Sequence, residues 1–584
     1  MLPKDKSAFF GHIRRLVALN GGEHSVFAVG AVRSTLALIL ERAYPRLVDL
    51  GLLAGDPKLT NRPELQGFAT WLQGRQFLET AFWLSSAYAH LMPAERRGQQ
   101  ALFFTPPTLS SRLITSLRRQ GVRLPTSRFA DPSCGGSAFL APVAMELARE
   151  FGLAGWNSKR IVTHVENHVA GFELDPALCE LSRAFLNMAL YEHVCRADRL
   201  LEPRIVLGDA LTTALPETEG YDVVISNPPY RKLSSEEFAR LPETYRHLVN
   251  GQPNLYALFV DLSLRLTKPG GYLGLLTPAG FLGGRSFGPL RSLLRREACA
   301  NQVDFIEPRI GAFLDVEQET ALTVLCKSAG RPSPISVFVT TDGQEFTPLG
   351  AHELPFEASA PWVLPRSPEE LTALQAFASQ RWRLEDYGYE PKTGFLVPHR
   401  MPVPRLPRKG NRLWVCPLIW ATQIGKDGIH HFQSGRGDHA DIFVDVSGYG
   451  CDRVLTTPSV ALQRTSSKDQ SRRVRCAPIT QAFVDEHGGY MGENHVCFIV
   501  PIAGRQPAVS VEVLTTILNS SPVDRVFRCL SGTATVSAYE LRVMPMPDPV
   551  VVRRALTAGM PPNEAVQQGY ATASKTREGK QKAA

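Results

Sequence analysis

The sequence predicts an α/β protein built on a doubly wound, mostly parallel sheet of seven strands. A helical N-terminal region precedes this sheet and a mixed α+β C-terminal domain follows it. Three observations carry that expectation. Strand-length apolar runs alternate with helix-length amphipathic segments from 127 to 328, and consecutive parallel strands require such crossover helices. Three of the runs end in an acid, namely Asp131, Glu173 and Asp209, at the carboxyl edge where open α/β sheets bind ligands. A fourth, Tyr221–Ser226, runs into Asn227-Pro228-Pro229-Tyr230. Its two prolines stop the strand, because each fixes φ and neither can donate to a ladder.

At 584 residues the chain exceeds one typical domain, and two or three are expected. It contains no run of about 18 apolar residues and no signal-peptide core, so a cytoplasmic protein without a membrane partner is expected. None of the ten cysteines forms a CxxC pair; neither a metal site nor a disulfide framework is predicted. The pattern divides into a helical region at 1–100, a catalytic domain at 101–330, a recognition domain at 331–550 and a tail at 551–584. The tail, polar and rich in Lys, Arg and Glu, is expected to be disordered.

Taken in order, residues 28–43 and 68–92 carry apolar residues at helical spacing and no evident chemistry. Phe103-Phe104-Thr105-Pro106-Pro107 then opens a helix, placing a hydroxyl and a rigid proline pair at its N-terminus, a corner suited to an anion. Asp131-Pro132-Ser133-Cys134-Gly135-Gly136 turns from a short strand into the next helix. Small residues there let backbone N–H groups approach a ligand closely. A GxGxxG fingerprint is absent, which disfavours NAD and FAD. Glu173 ends the second strand, where it is placed for ribose hydroxyls, and Asp209 ends the third, followed by Ala210. The stretch 151–169 is longer than a minimal crossover needs.

The Asn-Pro-Pro-Tyr turn suits a planar substrate with an exocyclic amine. The Asn227 amide oxygen and the Pro228 carbonyl can both accept from an NH₂ group, and Tyr230 can stack on a ring. After it come a helix at 255–266, a turn at 268–271, a strand at 272–276 and a helix at 287–299. Strands at 303–306 and 321–326 close the sheet, the last as an antiparallel partner.

This series resembles the TaqI-like N6-adenine DNA methyltransferases of restriction-modification systems. The matching order is Phe104-Thr105-Pro106, the Asp131 loop, Glu173, Asp209, Asn227–Tyr230, Asn254-Leu255-Tyr256, Lys268–Gly271, Leu276–Ala279 and Phe287. The resemblance implies a class I S-adenosylmethionine-dependent methyltransferase. Thr105, Pro106, Asp131, Pro132, Cys134, Gly135 and Gly136 would then hold the methionine part of the cofactor, Glu173 its ribose, and Asp209 with Ala210 its adenine. Asn227 and Pro228, with Pro229, would bind the target N6 of a flipped-out base. Tyr230 would stack on that base and Phe287 pack against it. Ala210 stands where a relative has an aromatic ring, so stacking on the cofactor adenine must come from elsewhere. N4-cytosine methylation, or a non-catalytic DNA-binding subunit of a defence complex, are the rival readings.

Beyond 330 prolines and glycines are frequent. Between Lys392 and Arg475 stand 14 Lys/Arg against 6 Asp/Glu, and the resulting +8 equals the charge of the whole chain. Such a basic stretch, interleaved with Phe395, Trp414, Trp420 and Phe432, is the footprint of phosphate-backbone binding. Gln463, Arg464, Lys468, Arg472 and Arg473 offer groups of the kind that read base edges. Double-stranded DNA bound by a monomer is the expected partner, with a separate restriction endonuclease as a second candidate.

Overall fold

The computed structural model describes residues 3–581 apart from 21, 101, 249–253, 307–313, 315–318, 329–333, 356, 372–373, 375–379, 399, 402, 410–413, 433–440, 448–452, 466–469, 471 and 531–534. The chain forms two compact units. One comprises Met1–Phe281 with Ser286–Ala360, the other Leu282–Arg285 with Pro361–Ala584.

The first unit is organised by one sheet. Its strands are β1 (Phe129–Asp131), β2 (Val169–Glu173), β3 (Arg204–Leu207), β4 (Tyr221–Ser226), β5 (Thr267–Pro278), β6 (Cys299–Ile306), β7 (Thr320–Cys326), β8 (Ile335–Thr340) and β9 (Thr347–His352). Their order is β3-β2-β1-β4-β5-β7-β6-β8-β9. The strands β1 to β5 pair in parallel, while β7 runs antiparallel to both β5 and β6. Central strands such as β4 are buried nearly throughout, as strands of a parallel sheet covered on both faces are. The register sets Phe129 beside both Val169 and Val223, and Glu173 beside Leu207. Four strand ends, and the loops after them, therefore emerge along one edge.

This is the doubly wound, mostly parallel α/β arrangement that the sequence predicts, with one departure from the seven-strand count and one feature the sequence left open. First, β8 adds in parallel to β6, from Gln302↔Ser336 to Ile306↔Thr340, and β9 closes the edge. Among the described residues the sheet has nine strands, and the expected boundary at 330 falls inside it. The alternating burial of β8 marks a strand on the sheet margin, a weaker signal than the apolar runs of the centre. Second, the N-terminal helices α1 (Pro3–Ala18), α2 (His24–Ala43), α3 (Pro63–Gln73) and α4 (Phe77–Leu91) belong to the same unit as the sheet. Their Phe68, Trp83 and Leu84 share one core with residues of α5 (Pro107–Arg119), α6 (Leu140–Leu153) and α8 (Pro176–Ala189). Between α6 and α8 the long crossover holds an additional helix, α7 (Ser158–His168). Asn157 caps it by accepting from the Arg160 N–H at 2.9 Å.

The second unit contains two four-stranded sheets. One orders Tyr389–Thr393, Val496–Pro501, Ser459–Gln463 and Cys476–Ile479 in antiparallel pairing. The other holds Arg405–Leu406, Phe443–Asp445, Val415–Ile419 and Met491–Gly492. The tail departs from the disorder expected of 551–584. Helices Pro549–Thr557 and Pro562–Gln581 occupy it, and Ala565, Val566 and Tyr570 are buried in the core beside Leu518 and Phe527. Three apolar residues at helical spacing anchor an otherwise polar segment, and composition averages them away. Among the described residues no helix is long and apolar enough to cross a membrane.

Candidate active site

Along the carboxyl edge of the sheet lies a cavity of about 600 Å³. Its wall takes in Thr105, Asp131, Pro132, Cys134, Gly135, Gly136, Glu173, Asp209, Ala210, Asn227 and Pro229. Segments far apart in the chain thus meet here. Pro106, Pro228, Tyr230 and Phe287 stand outside that wall. Pro106 takes the N-cap position of α5, Tyr230 bonds to Asn227 and Phe287 stacks on Tyr256.

The Asn227 amide is held at three points. Its Nδ2 donates to Thr105 Oγ1 at 2.9 Å and to the Phe103 carbonyl at 3.3 Å. Its Oδ1 accepts from the Tyr230 hydroxyl at 2.6 Å. A carbonyl can only accept, so Phe103 fixes which end of the amide is nitrogen. One lone pair of Oδ1 is left for a ligand. Thr105, expected beside the cofactor, is therefore also the residue that orients Asn227. Tyr230 likewise does more than present a ring. Its hydroxyl lies between Asn227 Oδ1 and the Leu276 carbonyl at 3.0 Å, and burial pushes its pKa far upward, so it stays a donor. The ring extends an aromatic series. Phe103 lies stacked against it at 6.4 Å, Tyr256 meets it edge-on at 6.4 Å, and Phe287 stacks on Tyr256 at 5.1 Å.

The other end of the cavity is acidic. Asp131 accepts from the Ser133 N–H at 3.0 Å. The Ser133 hydroxyl in turn meets Ser226 Oγ at 2.8 Å and donates to the Asn227 carbonyl at 3.2 Å, tying the loop after β1 to the end of β4. Burial, with repulsion from Glu173, raises the Asp131 pKa to about 8. Glu173 receives the Gly135 N–H on Oε2 and the Asp175 N–H on Oε1, each at 2.9 Å. Burial also raises its pKa, with a further push from Asp175. Gly135 adopts φ +50°, and a Cβ on Gly136 would stand 2.1 Å from Ser85 Oγ. Both glycines are thus required by conformation or by space. Asp209 accepts from the Leu211 N–H at 3.0 Å and caps a short helix from Ala210. Leu174, two-thirds exposed, lies on the wall with Leu211, Leu233 and Leu241.

The expected base-reading residues of the second unit have a different place. Arg464 donates to the carbonyls of Asn494 and Val536, and Arg472 to that of Asn519. Arg473 is 8% exposed, with its backbone N–H on Asp524. The Gln463 side-chain oxygen accepts from Gln470. Lys468 lies outside the described residues. Spacing along the sequence showed basic groups but not their internal partners. Arg400, Arg408 and Lys426, by contrast, are exposed. Phe103, whose carbonyl accepts from Asn227, Ser133, which ties the loop after β1 to the end of β4, and Tyr88, which lies outside the cavity and donates to Asp175, were given no such individual roles by the sequence. Phe103 and Ser133 adjoin motif residues, whereas nothing local marks Tyr88.

Residues 167–310 match the Eco57I restriction-modification methylase family. The Type II methyltransferase M.BsuBI of Bacillus subtilis is 26% identical over 340 residues, which is 55% of this chain and 64% of that protein. M.PstI of Providencia stuartii is 23% identical over 361 residues, 56% and 65% of the two chains. The match thus spans less than two thirds of these relatives' length. Among solved structures, that of the Type IIL restriction-modification enzyme MmeI in complex with DNA aligns over 94% of this chain and 87% of its own. The TM-score is 0.53 and the identity 11%, a likeness of fold. The stretch that carries Glu173, Asp209 and the Asn227 turn is thus the part of the chain that is similar to the Eco57I restriction-modification methylase family.

Proposed function

We propose that this protein is a site-specific DNA methyltransferase acting on the exocyclic amine of a flipped-out base, the N6 of adenine. The observation that carries this reading is the triply held Asn227 amide, whose oxygen keeps one acceptor site beside an acidic cavity. Such an acceptor, together with the Pro228 carbonyl, would bind the two hydrogens of an amine. That arrangement favours a pyramidal nitrogen with its lone pair free, and fixed acceptors do this without reorganisation. A base inside a duplex cannot reach the pocket, so extrusion, at about a few kcal/mol, belongs to the reading.

S-adenosylmethionine fits the other end. Asp131 and Glu173 are buried carboxyls whose partners are N–H groups and a hydroxyl, and burial with repulsion from neighbouring acids raises their pKa values. A ligand with an ammonium and a sulfonium would relieve that. When bound, the cofactor supplies an electrophilic methyl group. Glu173 would take its ribose hydroxyls and Asp209 its adenine amine. Leu174 and Leu211 would offer the apolar faces that Ala210 lacks.

The test is transfer of labelled methyl from S-adenosylmethionine to mixed-sequence duplex DNA, followed by nucleoside analysis. N6-methyladenine supports the reading, and N4-methylcytosine would move the target to cytosine on the same amine chemistry. Absence of label from DNA, with cofactor binding intact, would leave the DNA-binding-subunit reading standing instead.

A further inference from the structure

The support for Glu173 extends outside the sheet. Helix α4 carries Ser85 and Tyr88 three residues apart, hence on one face, and each is 1% exposed. The Tyr88 hydroxyl donates to Asp175 Oδ2 at 2.8 Å. Asp175 Oδ1 accepts from the N–H groups of Ala177 and Leu178, which starts α8. The Asp175 N–H in turn holds Glu173 Oε1. One turn earlier on α4, Ser85 presses against Gly136, leaving no room for a Cβ there. One helical face therefore touches both loops that edge the cavity.

We propose that α4 buttresses the two loops that edge the cofactor site and that Tyr88 is a positioning residue. It would act by holding Asp175 so that the Asp175 N–H fixes the Glu173 carboxylate. The inference rests on reading Glu173 as the ribose-binding acid. It gives the N-terminal helices a part in ligand binding that their sequence does not announce. Phenylalanine would fill the same space; only the hydroxyl connects the helix to the acid.

The experiment is calorimetric titration of the full chain with S-adenosylhomocysteine, for wild type, Tyr88→Phe, Glu173→Ala and the double variant, with steady-state kinetics alongside. Tyr88→Phe should raise Kd about five- to tenfold, a part of the worth of one hydrogen bond to a charged group because the contact acts on Glu173 at one remove, while kcat at saturating cofactor stays near wild type. In the Glu173→Ala background the same change should add nothing, because it acts through Glu173. A merely structural tyrosine would lower the melting temperature, leave Kd unaltered, and behave additively. If Glu173→Ala weakens binding and Tyr88→Phe does not, the inference fails while the cofactor reading survives. If wild type itself fails to bind, both fall.

Discussion

At the residue scale the site turns on the orientation of one amide. Thr105 and Tyr230 hold opposite ends of Asn227 although they stand 122 and 3 residues away from it. Thr105→Val removes the acceptor at nearly constant shape. It should lower kcat about tenfold, the worth of one such bond, with cofactor affinity unaltered. A fall in affinity equal to the fall in rate would return Thr105 to the cofactor. Tyr230→Phe should cost a similar factor, because the hydroxyl is engaged, and Tyr230→Ala should cost more, since it also removes the ring packed against Phe103 and Tyr256. Rates that distinguish neither variant from wild type would remove both roles. Asp131 gives a prediction of a different kind. Its folded pKa of about 8 lies above the usual carboxyl value. Between pH 4 and pH 8 the unfolded chain has therefore released a proton that the ligand-free fold retains, so stability falls as pH rises through that window. Asp131→Asn should melt increasingly above wild type across the same window, yet bind the cofactor less tightly. A gap in melting temperature that does not vary with pH would contradict the assignment.

At the scale of elements, the sheet was legible where its strands are buried on both faces and obscure where they are not. Strand β4 and its Pro-Pro stop are written in consecutive residues, as are the acids closing β1, β2 and β3. Strands β8 and β9 lie on the sheet margin, where one face meets less of the core and the apolar signal thins. The last helix shows the same limit. Its buried face is Ala565, Val566 and Tyr570, with the Tyr570 hydroxyl on the Pro545 carbonyl at 3.0 Å. Composition over the segment reports the polar remainder. Deletion of residues 562–584 should destabilise the second unit by about 3–5 kcal/mol, given about 1.5–3 kcal/mol for each large apolar side chain exposed. An unchanged denaturation midpoint after that deletion would show that the helix adds nothing to the fold.

At the scale of the whole molecule, charge was readable as a sum but not as a surface. The +8 of residues 392–475 is a property of the sequence, yet Arg464 and Arg472 are turned to backbone carbonyls and Arg473 is buried. Charge reversal at Arg400 and Arg408 should weaken DNA binding and make the slope of log affinity against log salt shallower by about 2, one for each phosphate no longer neutralised. The conservative Arg472→Lys, by contrast, should act mainly on stability. The N-terminal helices belong to the unit that holds the site, for the same reason that Tyr88 escaped notice. Long-range contacts leave no mark on the local sequence. The central claim is that Asn227 presents an acceptor to an exocyclic amine of DNA. It is tested most directly by mass spectrometry of nucleosides from DNA of cells expressing the wild type or Asn227→Ala. The account predicts N6-methyladenine with the wild type and none with the variant. A methylated base that persists in Asn227→Ala, or methylation only at a ring carbon such as C5 of cytosine, would contradict it.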